Sequence, residues 1–239
     1  MTKLIPVRND FIRRLTMLAK ILGFLGLSGC VMPPVTGERE KLDALANGEE
    51  LSVFFVGNSY SFGIPKAFGE LAAARGKDVR IGHSTFSGWS LSKHSRNPGT
   101  LKKLREGDWD VVVIQDYSTN PSQSEHLRQM KMDPGVQFFA TEARALGAVP
   151  LLYQTWGRFA GDPHIPGDDF YRMNDRVRKG YLSASRNGGG IVTVKAGDAW
   201  EREFRAGRGT DLFYEDGSHP GAYGNKVTAE EFYRTIFRE

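Results

Sequence analysis

From position 51 onward, short apolar runs alternate with longer stretches that mix apolar and polar residues. The runs have strand length and lie at positions 53–56, 79–81, 111–114, 149–153 and 191–194. The longer stretches predict helices over positions 65–75, 91–105, 137–146, 170–185 and 223–237. Strands that alternate with such helices indicate βαβ units, and continuously apolar strands indicate a parallel sheet buried on both faces. We therefore predict an α/β protein, a three-layer α/β/α sandwich of flavodoxin-like type around five parallel strands.

The last helical stretch has the clearest period, because Ala229, Phe232, Tyr233 and Ile236 fall at i, i+3, i+4 and i+7. One face of this helix is therefore expected to pack against the sheet. In open α/β sheets, ligands bind beyond the carboxyl ends of the strands. Candidate chemistry is accordingly sought directly after each apolar run.

Residues 1–30 have the pattern of an export signal. Basic residues lead into an apolar run at positions 21–27, which ends in Ser-Gly-Cys30. This run is far shorter than the ~20 apolar residues that cross a bilayer, so a permanent transmembrane helix is not expected. Met17 opens a more compact version of the same pattern and is an alternative start to Met1.

The end of this segment resembles the lipobox of bacterial lipoproteins, in which cleavage leaves a lipid-carrying cysteine as the first residue. The resemblance implies lipidation at Cys30 and an exported protein anchored to the cell membrane or outer membrane. Residues 31–50, with two prolines and a charged stretch, are then a tether to a domain at 51–239. Cys30 is the only cysteine of the chain, so no internal disulfide forms. The alternative is a lone buried cysteine that packs as a small apolar residue.

The charge balance argues against a nucleic-acid partner once the signal is set aside. The chain has 32 basic and 28 acidic residues, a formal charge of +4. Residues 1–30 contain five of the basic residues and one of the acidic ones, which leaves 27 of each. A basic domain would indicate nucleic-acid binding. Here the basic excess belongs to the signal, and the domain is formally neutral.

Two short segments contain candidate catalytic residues. Positions 57–59 read Gly-Asn-Ser directly after the first apolar run, and positions 216–220 read Asp-Gly-Ser-His-Pro before the last helix. A serine hydroxyl becomes a nucleophile when a histidine takes its proton, and a carboxylate holds the tautomer of that histidine. Either segment alone is equally typical of a capped turn. Together they predict a triad of Ser59, His219 and Asp216, with Ser61 as a weaker candidate nucleophile.

These segments resemble the blocks of the SGNH hydrolase superfamily, the GDSL-like esterases and lipases. Positions 57–59 are similar to its Gly-Asp-Ser block, with asparagine in place of aspartate, and positions 216–220 match its D-x-x-H-P block. Ser-Gly-Trp-Ser-Leu at 87–91 resembles its glycine block. The resemblance extends from position 53 to about 229. It implies that Ser59 is the nucleophile, His219 the general base and acid, and Asp216 its orienting partner, with the N–H groups of Ser59 and Gly88 as oxyanion donors.

The third block of the family is where this sequence departs. The family places Gly-x-Asn-Asp after the third strand and uses the asparagine in the oxyanion hole, whereas positions 115–120 here read Gln-Asp-Tyr-Ser-Thr-Asn. Carbohydrate acetyl esterase branches have a glutamine at the strand end and an asparagine soon after. That resemblance makes Gln115 the first candidate for the missing donor and Asn120 the second. An ionised Asp116 aimed at the hole would destabilise the oxyanion, and one donor is worth ~10²–10³ in rate.

Two further residues are candidates for binding substrate. Trp156 follows the fourth apolar run and is placed to stack on a sugar, with core packing as the alternative. His94 lies near the glycine block and is a candidate for the pocket wall, or else lies on a helix surface. No G-x-S-x-G elbow of the α/β-hydrolases is present. No H-E-x-x-H, paired-cysteine or G-x-G-x-x-G pattern predicts a metal or nucleotide cofactor.

The sequence thus predicts an extracytoplasmic serine ester hydrolase that works through an acyl-enzyme on a small-molecule or glycan ester, with a carbohydrate O-acetyl ester as the preferred substrate. Two alternatives stay open. One is an O-acyltransferase that passes the acyl group to a surface polysaccharide through the same triad. The other is a glycan-binding lipoprotein without turnover, which Asp116 and the missing Gly-x-Asn favour. No cofactor is expected, and the oligomeric state is left open.

Overall fold

One sheet of five parallel strands forms the centre of the molecule. The computed structural model describes residues 37–239, so the predicted signal, Cys30 and positions 31–36 of the predicted tether lie outside the described residues. The strands are β1 (Leu51–Gly57), β2 (Val79–Thr85), β3 (Val111–Ile114), β4 (Val149–Gln154) and β5 (Val192–Lys195). They run β2-β1-β3-β4-β5 across the sheet, and every neighbouring pair is parallel.

Helices cover both faces of this sheet. They are α1 (Glu38–Ala46), α2 (Ile64–Ala74), α3 (Leu91–His94), α4 (Pro98–Glu106), α5 (Glu125–Lys131), α6 (Asp133–Ala145), α7 (Phe170–Asn187), α8 (Ala196–Arg205) and α9 (Ala222–Phe237). Alternate residues of each strand face opposite sides. Val53 and Phe55 therefore pack with α1, α2, α8 and α9, whereas Phe54 and Val56 pack with α4, α6 and α7. The predicted α/β/α sandwich with a five-stranded parallel sheet is confirmed.

One predicted helix, over positions 91–105, is interrupted. Helix α3 ends at His94, and α4 begins at Pro98. Asn97 is extended, as the residue before a proline prefers to be, and its side chain caps α4 by accepting the Thr100 N–H. The proline therefore separates two short helices where the sequence pattern indicated one.

The described part of the predicted tether is helical and belongs to the domain. In α1, Leu42 is fully buried in the core shared with α2 and α9. Glu38 forms a 2.6 Å ion pair with Arg144, and the Arg39 guanidinium donates to the Thr235 carbonyl at 2.6 Å. The prediction of a tether over 31–50 is therefore wrong for the α1 segment, because two buried apolar residues, an ion pair and a hydrogen bond dock it on the domain. Within residues 37–239, no helix has both the length and the apolar character that crossing a membrane requires.

The carboxyl ends of the five parallel strands share one edge of the sheet. From β1 the chain passes to β2 on one side and then to β3 on the other, so the strand order reverses at β1. Crevices at such a reversal are the usual ligand sites of open α/β sheets. Ser59 begins a 3₁₀ turn (Ser59–Ser61) two residues beyond the end of β1, and so lies at this position.

Candidate active site

The turn after β1 presents Ser59 at the edge of the sheet. Asn58 is extended, and its side-chain oxygen accepts the Tyr60 N–H at 3.0 Å, which caps the 3₁₀ turn. The amide nitrogen of Asn58 donates to the carbonyls of Trp89 at 3.3 Å and Asp116 at 3.2 Å. Asn58 thus joins the serine turn to the loops after β2 and β3.

The structure places the three predicted triad side chains in one hydrogen-bonded row. Ser59 Oγ lies 2.9 Å from His219 Nε2, and His219 Nδ1 lies 2.5 Å from Asp216 Oδ2. The second carboxylate oxygen of Asp216 accepts the N–H groups of Ser218 and His219, both at 2.9 Å. With Nδ1–H donated to the carboxylate, Nε2 is left to accept the serine proton. The arrangement is therefore suited to nucleophilic catalysis by Ser59.

The Asp216 carboxylate is held in its charged form. Partial burial raises the pKa of Asp216, but hydrogen bonds from the His219 ring and from the N–H groups of His219 and Ser218 outweigh it and lower the pKa below its usual value. The carboxylate therefore stays ionised at neutral pH, where it can support an imidazolium at His219.

Two aromatic residues hold the loop that bears His219. The Tyr60 hydroxyl is 2.6 Å from Ser218 Oγ, and the Tyr60 ring contacts the His219 ring edge-on at 5.3 Å between centroids. The Trp156 indole N–H donates to the Ser218 carbonyl at 3.1 Å. Sequence reasoning did not single out Tyr60, although its place next to Ser59 is a signal that it borders the site.

The structure does not place Trp156 where a sugar can stack on it. Its side chain is fully buried, with the Tyr60 ring 5.1 Å away on one face and the Trp200 ring 3.6 Å away on the other. Both faces of the indole are therefore occupied by the protein. Of the two readings of Trp156, core packing is the one that its surroundings match, with the added role of supporting the His219 loop.

His94 is likewise buried and does not line the pocket. Its Nε2–H donates to the Gly57 carbonyl at 2.8 Å, and Nδ1 is 3.2 Å from the Thr100 hydroxyl. Burial lowers the pKa of His94 to about 4, although the bond to Gly57 opposes this shift. The neutral ring holds the last residue of β1, two positions before Ser59, and so helps to position the serine turn without contacting the cleft.

The structure places Gln115 and Asn120 differently with respect to the presumed oxyanion hole. The side-chain oxygen of Gln115 accepts the Asn58 N–H at 2.8 Å and the Ser61 hydroxyl at 3.0 Å, while its amide nitrogen donates to the Asp116 carbonyl. Gln115 is fully buried and does not line the cleft described below. Asn120, the second candidate, instead lines a cleft together with Gly88.

Two backbone donors remain free at this edge. Within the described chain, no oxygen accepts the N–H of Ser59 or of Gly88. Gly88 has a φ of +68°, a conformation that side chains disfavour, which suits a glycine whose N–H must face outward. Free N–H groups next to a nucleophile are what an oxyanion hole requires.

The Asp116 carboxylate does not point freely into this space. It is fully buried, with one oxygen accepting the Leu91 N–H at 2.8 Å and the other accepting the Asn120 side-chain N–H at 2.9 Å. Burial raises the pKa of Asp116 to about 6, against the opposing effect of these hydrogen bonds. Both carboxylate oxygens of Asp116 thus accept hydrogen bonds from the protein, so the expected repulsion of an oxyanion by Asp116 does not follow from this geometry.

A surface cleft of about 390 Å³ opens beside Gly88, one of the two residues with a free donor. Its volume lies within the ~300–1,000 Å³ range typical of small-molecule sites. The lining mixes hydroxyl, amide and ammonium groups with one thioether, from Gly88, Ser90, Ser92, Tyr117, Asn120, Met130 and Lys131. Sequence reasoning missed Tyr117 and Lys131 in this role, although Tyr117 comes soon after β3. Among residues 37–239, no group of three or more metal-ligating side chains gathers.

Comparison with known proteins gives a likeness in structure only. No protein-family model matches the chain, and no curated protein matches it. A DUF4886 family protein from Bacteroides uniformis matches with a TM-score of 0.69 at 18% identity, covering 80% of this chain and 84% of that chain. The acetylxylan esterase Axe2 from Geobacillus stearothermophilus matches with a TM-score of 0.59 at 16% identity, covering 80% and 95%.

A third solved structure extends the likeness. The psychrotrophic esterase EstA from Pseudoalteromonas matches with a TM-score of 0.56 at 16% identity, covering 78% of this chain and 97% of that chain. These identities establish the fold and not the activity. The chain has the α/β fold of the SGNH, GDSL-like esterases, with its hydrogen-bonded Ser59, His219 and Asp216 at the edge where such a fold binds ligands.

Proposed function

We propose that this protein is a serine ester hydrolase that works through an acyl-enzyme. The observation that supports this most directly is the row from Ser59 through His219 to Asp216, at 2.9 Å and 2.5 Å, beside two free backbone N–H groups. A fold shared with esterases is consistent with the proposal. A glycan-binding protein without turnover would have no need to keep these three side chains in register.

In the proposed reaction, Ser59 Oγ attacks the ester carbonyl carbon as its proton passes to His219 Nε2. The tetrahedral intermediate collapses, the C–O bond to the leaving group breaks, and the leaving oxygen takes the proton from His219. Water then attacks the acyl-enzyme, gives one proton to His219 and releases the carboxylic acid. Ser59 recovers its proton in that last step. Asp216 stays ionised throughout and stabilises the imidazolium.

The negative charge on the carbonyl oxygen is stabilised in this proposal by three donors: the N–H groups of Ser59 and Gly88 and the side-chain amide of Asn120. Asn120 takes the place first given to Gln115, because Gln115 is fully buried and does not line the cleft that Asn120 borders. Asn120 borders the cleft with Gly88 and is thus on the correct side of the sheet edge.

The proposed substrate class is an O-acetyl or other small acyl ester on a carbohydrate. Hydroxyl groups of Ser90, Ser92 and Tyr117 and the ammonium group of Lys131 line the cleft, and such groups form hydrogen bonds with sugar hydroxyls. An acetylxylan esterase is among the proteins of similar fold. We further propose that the protein is exported and anchored to the bacterial cell membrane or outer membrane by lipid at Cys30, on the strength of the lipobox-like sequence before it.

The experiment that tests the hydrolase proposal is covalent labelling with a fluorophosphonate, followed by peptide mass spectrometry. We expect one adduct on Ser59 and none on Ser61, whose hydroxyl donates to Gln115. Hydrolysis of p-nitrophenyl acetate by the purified protein is expected to disappear in Ser59→Ala. If the folded protein neither takes the label nor hydrolyses this ester or a panel of acetylated sugars, the hydrolase proposal fails. p-Nitrophenol release that requires an added polysaccharide acceptor, with the acetyl group recovered on that acceptor, would identify an acyltransferase instead.

A further inference from the structure

We propose that Asp116 is a positioning residue, whose carboxylate fixes the Gly88 loop and the Asn120 amide in the arrangement that an oxyanion hole needs. The inference rests on the proposed function and extends it to a residue that does not touch the substrate. In this arrangement the Asp116 carboxylate positions the oxyanion donors and does not repel the oxyanion.

Asp116 contacts all three loops that surround the site. Its first carboxylate oxygen accepts the N–H of Leu91, the first residue of α3 and three positions after Gly88. Its second oxygen accepts the Asn120 side-chain N–H. Its main-chain carbonyl accepts the amide of Asn58, the neighbour of Ser59. A single buried residue therefore connects the serine turn, the glycine loop and the asparagine.

The chemistry of a carboxylate determines which way the Asn120 amide faces. An ionised carboxylate only accepts hydrogen bonds, so the amide must present its nitrogen to Asp116 and not its oxygen. The NH₂ group has two hydrogens, and only one is used by Asp116. The second hydrogen remains for a ligand in the cleft that Asn120 lines. Asp116 thus ensures that Asn120 offers a donor and not an acceptor to an oxyanion.

A neutral side chain of the same shape cannot do this. An asparagine at position 116 has one acceptor and one donor, and the Leu91 N–H requires the acceptor. Its NH₂ group would then face Asn120, whose amide must turn its oxygen toward it. The turned Asn120 would present a lone pair to the cleft, and that lone pair would repel an oxyanion. Asp116→Asn is therefore expected to reverse the polarity of one hole donor.

Burying the Asp116 carboxylate also lowers the stability of the folded protein, which is unexpected for a residue with a purely structural role. Within the described chain no cation lies within ion-pairing distance of its carboxylate, which is fully buried. Burying a charge without a partner of opposite charge is unfavourable, and the two hydrogen bonds offset only part of the cost. A position that requires two accepting oxygens explains why a carboxylate occupies it.

The test is a double-mutant cycle with Asp116→Asn, Asn120→Ala and the double variant, measured as kcat and KM for p-nitrophenyl acetate. Each single variant is expected to lose about 10²-fold in kcat, the lower end of the ~10²–10³ that one oxyanion donor is worth. KM should change less than about threefold. The double variant should be no slower than Asn120→Ala, because Asp116 then has no amide left to orient.

Asp110→Asn is the matched control. Asp110 lies just before β3, at the opposite edge of the sheet, and its carboxylate accepts the N–H of Ser52 at 2.9 Å and its hydroxyl at 2.7 Å. It is likewise an aspartate that accepts two donors beside the same strand. Both Ser52 donors reach the same carboxylate oxygen, which asparagine retains, so Asp110→Asn should leave kcat unchanged.

Three results overturn the inference: full activity in Asp116→Asn, effects that multiply in the double variant, or a fall in kcat for Asp110→Asn equal to that for Asp116→Asn. If Asp116→Asn does not fold, the Asn120→Ala variant tests the inference alone. A wild-type kcat in Asn120→Ala would show that Asn120 is not an oxyanion donor, so Asp116 would have no donor to orient. Absence of Ser59 labelling in the wild type would refute the proposed function itself, whereas a labelled, active wild type with an unaffected Asn120→Ala refutes only this inference.

Discussion

The contact between Asp216 and His219 allows the proposed mechanism to be tested by a change of one atom. Asp216→Asn keeps an oxygen for the N–H groups of Ser218 and His219, so the turn is expected to keep its shape. The new NH₂ group, however, faces His219 Nδ1, which must then accept and not donate. The proton of the neutral ring moves to Nε2, and the ring no longer accepts the proton of Ser59.

The structure limits how large the loss is expected to be. In serine proteases with a buried triad the same substitution reduces kcat ~10⁴-fold. Here the side chains of Asp216 and His219 are 42% and 41% exposed, so water screens the pair more strongly. Two unit charges 4 Å apart near a protein surface attract by about 4 kcal/mol. Because about 1.4 kcal/mol corresponds to tenfold in rate, we expect kcat to fall about 10³-fold.

The assay is hydrolysis of p-nitrophenyl acetate between pH 6 and 9, with Glu215→Gln as the matched control from the same loop. Glu215→Gln removes an adjacent exposed carboxylate that takes no part in the row, and wild-type kcat is expected. The acyl-enzyme mechanism requires that Asp216→Asn lose rate at every pH in this range while its near-ultraviolet circular dichroism is retained. A folded Asp216→Asn variant with more than a third of the wild-type kcat would show that the reasoning about the tautomer is wrong.

Three further predictions concern stability and the supports of the site. Burial holds the pKa of His94 at about 4 and raises that of Asp116 to about 6. Between pH 4 and 6, rising pH therefore stabilises the fold through His94 and destabilises it through Asp116, by about 3 kcal/mol each. In urea unfolding, the stability of His94→Asn should accordingly increase less with rising pH than that of the wild type, and parallel profiles would contradict this. Trp156→Phe removes the indole bond to Ser218 and should cost about 1 kcal/mol in unfolding free energy and reduce kcat with KM unchanged, whereas a raised KM at constant kcat would return Trp156 to the substrate site. Leu42→Ala should lower the free energy of unfolding by about 2–5 kcal/mol in thermal or urea unfolding. An unchanged stability would support the original interpretation of the α1 segment as a tether.

The strands were predictable because burial on both faces leaves a continuous apolar signal. All seven residues of β1 are buried, and β3 has the predicted bounds. Strand β2 is longer than predicted, since its Gly82–Thr85 half is largely polar and still pairs in register with the end of β1. It is an edge strand, where hydrogen bonds on one side and partial exposure permit polar residues. Composition therefore underestimates strands at the edge of a sheet.

Helix α8 was not predictable from its own sequence. Its buried face contains Ala199 and Trp200, and the rest of it is mostly charged. Asp198 and Glu201 pair with Arg178 of the neighbouring helix α7, Asp198 at 2.7 Å. The charges are thus satisfied by a partner 20 or more positions away, which no local periodicity reveals. The docking of α1 through Leu42 has the same character, because the partners of its few apolar side chains come from α2 and α9.

In the candidate site, too, contacts between residues close in the sequence could be predicted, and contacts between distant residues could not. Asp216 and His219 lie within one turn, so their spacing alone predicted a contact that the structure places at 2.5 Å. The choice between Gln115 and Asn120 had no such local signal, since both are amides in the same loop. What separates them is burial: Gln115 is fully buried beneath Asn58 and Ser61, whereas Asn120 borders the cleft and gives Asp116 only one of its two amide hydrogens. An amide can stabilise an oxyanion only with an N–H that is undonated and faces the ligand, and that depends on its neighbours in space.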